Sequence, residues 1–202
     1  MNFKRAIAAL ALGTVTSIGA QAAIIDFDSH PTDGETSILE SGFRFDFMAA
    51  GWGIFGPGSG ACCNINYNGT PSLFADGDRD GLTAQVVMSV DGGGTFSVSS
   101  LDAAVYWIGA PAGSIELIGA LHGGGTVTTT LATDGKWTQH MLTGFDNLDS
   151  LTVRDTTSGI FLAAPGFGID NINTAPVPEP ESYALMIAGL AALGLVRRYR
   201  KQ

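Results

Sequence analysis

The sequence predicts an all-β protein, a jelly-roll-like β-sandwich set between an N-terminal signal peptide and a C-terminal single apolar helix. Three observations carry that expectation. Between the two ends, short segments rich in Val, Ile, Thr, Phe and Trp recur about every ten residues, separated by glycine. Two of them, Phe43-Arg44-Phe45-Asp46-Phe47 and Ser150-Leu151-Thr152-Val153-Arg154, alternate apolar with polar residues, which gives one buried and one wet face. No segment from 23 to 176 sustains a helical period.

The first element, residues 1–22, reads MNFKRAIAALALGTVTSIGAQA. Lys4 and Arg5 precede an uncharged run from Ala6 to Ile18, and the small residues Ala20 and Ala22 follow it. That order is a secretory signal peptide cut by signal peptidase after Ala22, and the run is too short for an ordinary membrane span. Strands are expected at Ala23 to Phe27, Phe43 to Phe47, Leu82 to Ser89, Thr95 to Ser99, Ala103 to Gly109, Ser114 to Leu121, Thr126 to Leu131, Trp137 to Leu142, Ser150 to Arg154 and Phe167 to Ile172. Gly92-Gly93-Gly94 and Gly123-Gly124-Gly125 fall where hairpin loops belong. The stretch from Ala49 to Asp80 reads as a long functional loop region.

The last element, residues 177–202, has three features in fixed order: Pro178-Glu179-Pro180, an uncharged run from Ser182 to Val196, and the basic cluster of Arg197, Arg198, Arg200 and Lys201. Proline holds the approach extended, as a processing enzyme requires. As a helix the run rises about 22 Å, short of a hydrocarbon core of about 30 Å. It therefore suits a temporary stop in the inner membrane. The positive end stays cytoplasmic, which places the preceding chain on the far side. This order resembles the PEP-CTERM sorting signal. The resemblance implies a Gram-negative bacterium that makes exopolysaccharide, and an exosortase that cuts near Pro178 to Pro180 and removes the tail.

Residues 23–176 remain as the working body, enough for one domain with a real core. Its strong bases are Arg44, Arg79, Lys136 and Arg154, against seventeen of the chain's nineteen acids, a formal charge near −13. Such a surface repels phosphate backbones, which excludes nucleic acid as a partner. The two cysteines, Cys62 and Cys63, are adjacent. They can form a strained vicinal disulfide, stay as thiols or pair between molecules, and none of these is a disulfide framework.

A second resemblance rests on Ile25-Asp26-Phe27-Asp28, on Gly42-Phe43-Arg44-Phe45, and on the run from Trp137 through Gly144-Phe145 to Phe167-Gly168-Ile169-Asp170-Asn171-Ile172. These look like exported jelly-roll domains similar to carbohydrate-binding modules. The likeness implies a structural calcium ion near the first and last strands, with Asp28 and Asp170 as its ligands. The other reading of Asp170 and Asn171 is a strand or turn cap.

Within the body the sharpest motif is Asp76-Gly77-Asp78-Arg79-Asp80-Gly81. Alternating acids with a glycine after the third can aim Asp76, Asp78 and Asp80 at one calcium ion. An EF-hand needs a glutamate seven residues after Asp80, where this chain has Val87, so that full pattern fails. An acidic surface turn is the alternative. His30, His122 and His140 lack metal-ligand spacing, and His30 and His122 read as solvated loop residues. No Gly-x-Ser-x-Gly elbow, Walker loop or dinucleotide fingerprint is present, so the expectation is a protein that is not an enzyme. Trp52 and Tyr67 are the candidates for stacking on sugar rings, while Trp107 and Trp137 suit the core. Asn68-Gly69-Thr70 fits a glycosylation sequon and reads as incidental.

These readings converge on an exported surface or extracellular-matrix protein, non-enzymatic and associated with exopolysaccharide, with structural calcium. Two alternatives stay open: a calcium-dependent, lectin-like module, and a secreted glycan hydrolase. Its expected partners are signal peptidase, exosortase, exopolysaccharide and, transiently, the inner membrane.

Overall fold

Phe43–Phe47 forms the strand its alternation predicts, with all three phenylalanines buried and Arg44 and Asp46 only partly so. It is one of twelve strands in the described part of the computed structural model, which covers residues 23–30, 36–48, 51–57, 65–76, 83–156 and 166–176. The strands are β1 (Ala23–Ile25), β2 (Ser37–Glu40), β3 (Phe43–Phe47), β4 (Gly51–Phe55), β5 (Ser72–Asp76), β6 (Gln85–Val90), β7 (Phe96–Val105), β8 (Gly113–Leu121), β9 (Thr126–Thr133), β10 (Thr138–Met141), β11 (Leu148–Asp155) and β12 (Phe167–Pro176). The signal peptide, the C-terminal helix, the sorting residues Ala22, Pro178, Glu179, Pro180, Arg197 and Arg198, the two cysteines, Asp78 and Asp80 all lie outside the described residues.

Hydrogen bonding divides the strands into two antiparallel sheets. Sheet I runs β2-β3-β6-β11-β8-β9. Sheet II runs β10-β7-β12-β5-β4, with β1 on the other end of β12. A single pair, Leu148 with Phe96, joins β11 to β7 and makes the whole one curled sheet. Side chains from both sheets meet in one core that includes Phe45, Met88, Leu117 and Leu151 from sheet I and Phe96, Leu101, Leu73 and Ile169 from sheet II. This is the expected jelly-roll-like sandwich.

The structure differs locally from the sequence reading, beginning with β2 (Ser37–Glu40), a short strand not expected there that pairs with β3. The segments Thr95 to Ser99 and Ala103 to Gly109 are not two strands but the single strand β7, whose buried positions change phase near Ser100 and Leu101. Gly92-Gly93-Gly94 does not close a hairpin: β6 belongs to sheet I and β7 to sheet II, so this loop crosses the sandwich. Gly123-Gly124-Gly125 does close the β8–β9 hairpin, with φ of 91°, 104° and 92°, a conformation that only glycine adopts freely. A further difference is the region from Ala49 to Asp80, which contains the paired strands β4 and β5 as well as loops.

Candidate functional site

On sheet II the face opposite the main core is also buried. Phe74 of β5 is fully buried there, with Ile65 and Tyr106, and Phe55, Tyr67, Trp107 and Trp137 pack partly buried around them. Tyr106 and Trp137 meet the Phe74 ring edge-on at centroid distances of 5.4 and 5.9 Å. Tyr67 does the same at 6.1 Å. The sheet makes room for these rings with glycine. A Cβ on Gly168 of β12 would lie 2.6 Å from Phe74 Cε1 and 2.8 Å from Trp137 Cη2, closer than packed carbon atoms approach.

The segment before β5 covers this aromatic cluster. Ile65 bridges to Trp107, the Asn66 amide donates to the Tyr106 carbonyl at 2.9 Å, and the Trp137 indole N–H donates to the Asn66 carbonyl at 2.7 Å. A polar knot fastens the same segment further along. Asn68 Nδ2 donates to Asp170 Oδ2 at 2.5 Å, the Ser72 hydroxyl at 3.2 Å and the Thr70 hydroxyl at 3.4 Å. Asp170 Oδ1 accepts from the Asn171 amide at 2.8 Å. Asn68 is itself oriented by the Thr70 amide, which donates to Asn68 Oδ1 at 3.0 Å.

A bulge in β12 aims Asp170 at this knot. Register shifts after Asp170, and Asn171 takes φ of 48°, a left-handed conformation that asparagine tolerates better than most residues. The extra residue lets Asp170 face the knot while Ile172 faces the main core. Asn171 Nδ2 then donates to Asp102 Oδ2 at 2.9 Å, on the strand position directly opposite Asp170. Asp102 Oδ1 is buried with no hydrogen-bond partner among the described residues. Burial pushes the Asp170 carboxyl up to about 6, the donors Asn68, Asn171 and Ser72 pull the other way, and the nearby Asp28 charge adds to the rise.

The expected site residues therefore separate. The Asp28 charge acts on Asp170, whereas Asp76 lies at the far end of β5 from Ser72, the residue that touches Asp170. Among the described residues no three His, Cys, Asp or Glu side chains gather as metal ligands. Trp52 is on β4, in register with Ala75, and Tyr67 belongs to the covering segment. Trp107 and Trp137 pack as core residues, in the smaller cluster. His30, expected in solvent, is 15% exposed with Nδ1 3.5 Å from Glu40 Oε2, because the turn after β1 folds back on β2. His122 is exposed as expected, 2.8 Å from Asp149. Nothing in the sequence marks Asn68, Thr70 and Ser72 as ligands. Their one visible signal was Asn68-Gly69-Thr70, the turn-forming triplet read as a sequon.

Residues 176–201 match the PEP-CTERM protein-sorting motif. No curated protein sequence matches the chain. Among solved structures the fold is similar to a family 29 carbohydrate-binding module, at 14% identity over 77% of this chain and 92% of that one, with a TM-score of 0.46. A second structure of a family 29 module gives 13% identity, 78% and 90% coverage and a TM-score of 0.46. A segment making up 25% of an exo-β-agarase matches 79% of this chain at 13% identity and a TM-score of 0.51. These are likenesses of fold. The sorting motif marks the chain as an exosortase-processed surface protein, anchored in the membrane before it is cut.

Proposed function

We propose that the protein is a non-enzymatic module of the cell surface or extracellular matrix of a Gram-negative bacterium, held in or passed through an exopolysaccharide layer. The observation that carries this reading is the junction at Pro176. The last strand pairs as far as Pro176, opposite Phe96, and the sorting motif begins at the same residue. Cleavage near Pro178 to Pro180 thus removes the tail without breaking a strand of the sandwich. Signal-peptidase cleavage after Ala22 is the matching event at the other end, since β1 starts at Ala23. Replacing Pro178, Glu179 and Pro180 together by alanine should leave the uncut chain in the inner-membrane fraction, while the native chain leaves as a shortened body. Stripping exopolysaccharide should release that body into the medium. Native chain found uncut in the cytosol would overturn the proposal.

A structural calcium ion belongs to the same proposal. The Asp170 carboxylate, the Thr70 and Ser72 hydroxyls beside it and the Asp28 carboxylate whose charge acts on it are all oxygen donors, the kind calcium takes. Bound there, the ion would offset the charge that burial otherwise disfavours on Asp170. Chelator should then lower the melting midpoint, and an unchanged midpoint would remove calcium from the account.

One observation favours a lectin-like second reading. Tyr67, Trp107 and Trp137 are each only partly buried at the margin of the cluster, which sets aromatic residues at the surface, the residue type that stacks on sugars. A glycan array of native protein, Trp52→Ala and Tyr67→Ala, with and without chelator, decides it: specific binding lost in the variants supports a lectin. No observation favours the hydrolase. Asp170, whose carboxyl burial shifts upward, is fully buried beneath its own donors.

A further inference from the structure

The free edges of the sandwich are not alike. Among the described residues β2, β4 and β10 span four or five residues each, whereas β9 spans eight and pairs with β8 alone. A long free edge offers its amides and carbonyls to another chain, and proteins ordinarily blunt it with charge, proline or a bulge. β9 has none of these. Its sequence, TVTTTLAT, is uncharged, and its register with β8 is unbroken from Gly113 opposite Thr133 to Ala120 opposite Thr126. The hairpin also carries little charge: from Gly113 to Thr133 its one acid is Glu116, which accepts from Arg154 Nε at 2.6 Å, and its one titratable base is His122, beside Asp149 in the turn. Two copies of so acidic a body repel one another over most of their surface and least here.

The direction of the free groups fixes the pairing. Leu121 N–H donates to the Gly125 carbonyl at 3.1 Å, so by antiparallel alternation the amides and carbonyls of Thr126, Thr128, Thr130 and Ala132 point away from β8. The same four side chains are exposed, while Val127 and Thr129 are half-buried and Leu131 is buried on the core side. We propose that β9 is a homodimerisation edge, at which two copies pair antiparallel about a two-fold axis at Thr129. Thr126 then faces Ala132 of the second copy, Thr128 faces Thr130, and Thr129 faces itself. This register sets Val127 against Leu131, the two apolar residues of the inward face, and carries the core side of sheet I across the junction.

Disulfide trapping tests the register. In the chain expressed from its full sequence with Cys62→Ser and Cys63→Ser, Thr129→Cys should give a covalent dimer on a non-reducing gel. Thr126→Cys together with Ala132→Cys should do the same, and Thr126→Cys alone should not. A Thr129→Cys chain that stays monomeric, or single cysteines that cross-link alike, would overturn the pairing. A charge swap on exposed positions gives the second test. In detergent, light scattering should show the native chain at twice the mass of Thr128→Lys/Thr130→Lys, which still unfolds cooperatively at a somewhat lower melting midpoint because it lacks the stabilisation that pairing adds. Mixing that variant with Thr128→Glu/Thr130→Glu should restore the doubled mass. A monomeric native chain, a lysine variant as large as the native chain, or a native complex with a different protein would each refute the proposal.

Discussion

Sheets I and II are built from the same kind of strand but use their outer faces in opposite ways. On sheet I the alternation is clean: β3 and β8 bury every second residue, and the outward Thr126, Thr128 and Thr130 of β9 are in water. On sheet II it fails, because a covering segment buries the outer face too. Ser72, Leu73, Phe74 and Ala75 are consecutive and all buried, as are Phe167 to Asp170. A sheet covered on both sides no longer writes period two into its sequence. The lesson is that polarity alone does not mark surface in this fold, since Asp170 and Ser72 are as deep as Leu73.

That contrast can be broken at its centre. Phe74→Ala removes the ring around which the second cluster packs and should cost about 3–5 kcal/mol, roughly ten degrees or more of melting midpoint. If thermal unfolding barely moves, the outer face of sheet II is not a real core. Gly168→Ala should cost about 1–3 kcal/mol, since the new methyl group meets two rings already packed against each other. Trapping of alternative rotamers of Trp137 would show as a shift in its fluorescence, and an unchanged spectrum and midpoint would contradict the close approach.

Acidity sharpens the comparison further. The Asp170 carboxyl in the folded protein titrates near 6, above its ordinary 3.8, so the folded state holds that proton more tightly than the unfolded one. Its contribution to stability is complete below about pH 4 and is lost as pH rises through 6. At neutral pH the loss is on the order of 3 kcal/mol. The melting midpoint of the native protein relative to Asp170→Asn should therefore fall between pH 4.5 and 7. A flat difference would place Asp170 in water, and a calcium ion at the knot would shift the same transition to lower pH. Trp137→Phe should cost about 1 kcal/mol for the lost indole hydrogen bond to Asn66. On sheet I the outward Thr152→Ala should stay within about 0.5 kcal/mol. Equal effects at Thr152 and Trp137 would erase the distinction between the two faces.

The same distinction explains what the sequence made legible. Strands with one wet face, such as β3 and β11, were readable to within a residue or two, and so was the sandwich they build. β4 and β5 were not. Gly51-Trp52-Gly53 lacks strand composition, and Ser72-Leu73-Phe74-Ala75-Asp76 lacks alternation because both its faces are covered. At the site, Asp170 is legible as a chemistry-bearing acid, but Asn68, Thr70 and Ser72 carry no chemistry until a fold sets them against its buried carboxylate. The bulge at Asn171, which turns Asp170 toward them, depends on register and has no signature beyond one asparagine.

The placement of β12 gives the molecule a mechanical character. It is an inner strand, flanked by β7 along most of its length and by β5 and β1 in turn on the other side. Any tether at its carboxyl end, membrane span or matrix attachment, pulls lengthwise on a strand bonded along both flanks. The ladder then yields in shear, with many bonds strained together, instead of peeling one bond at a time as a strand at the rim would.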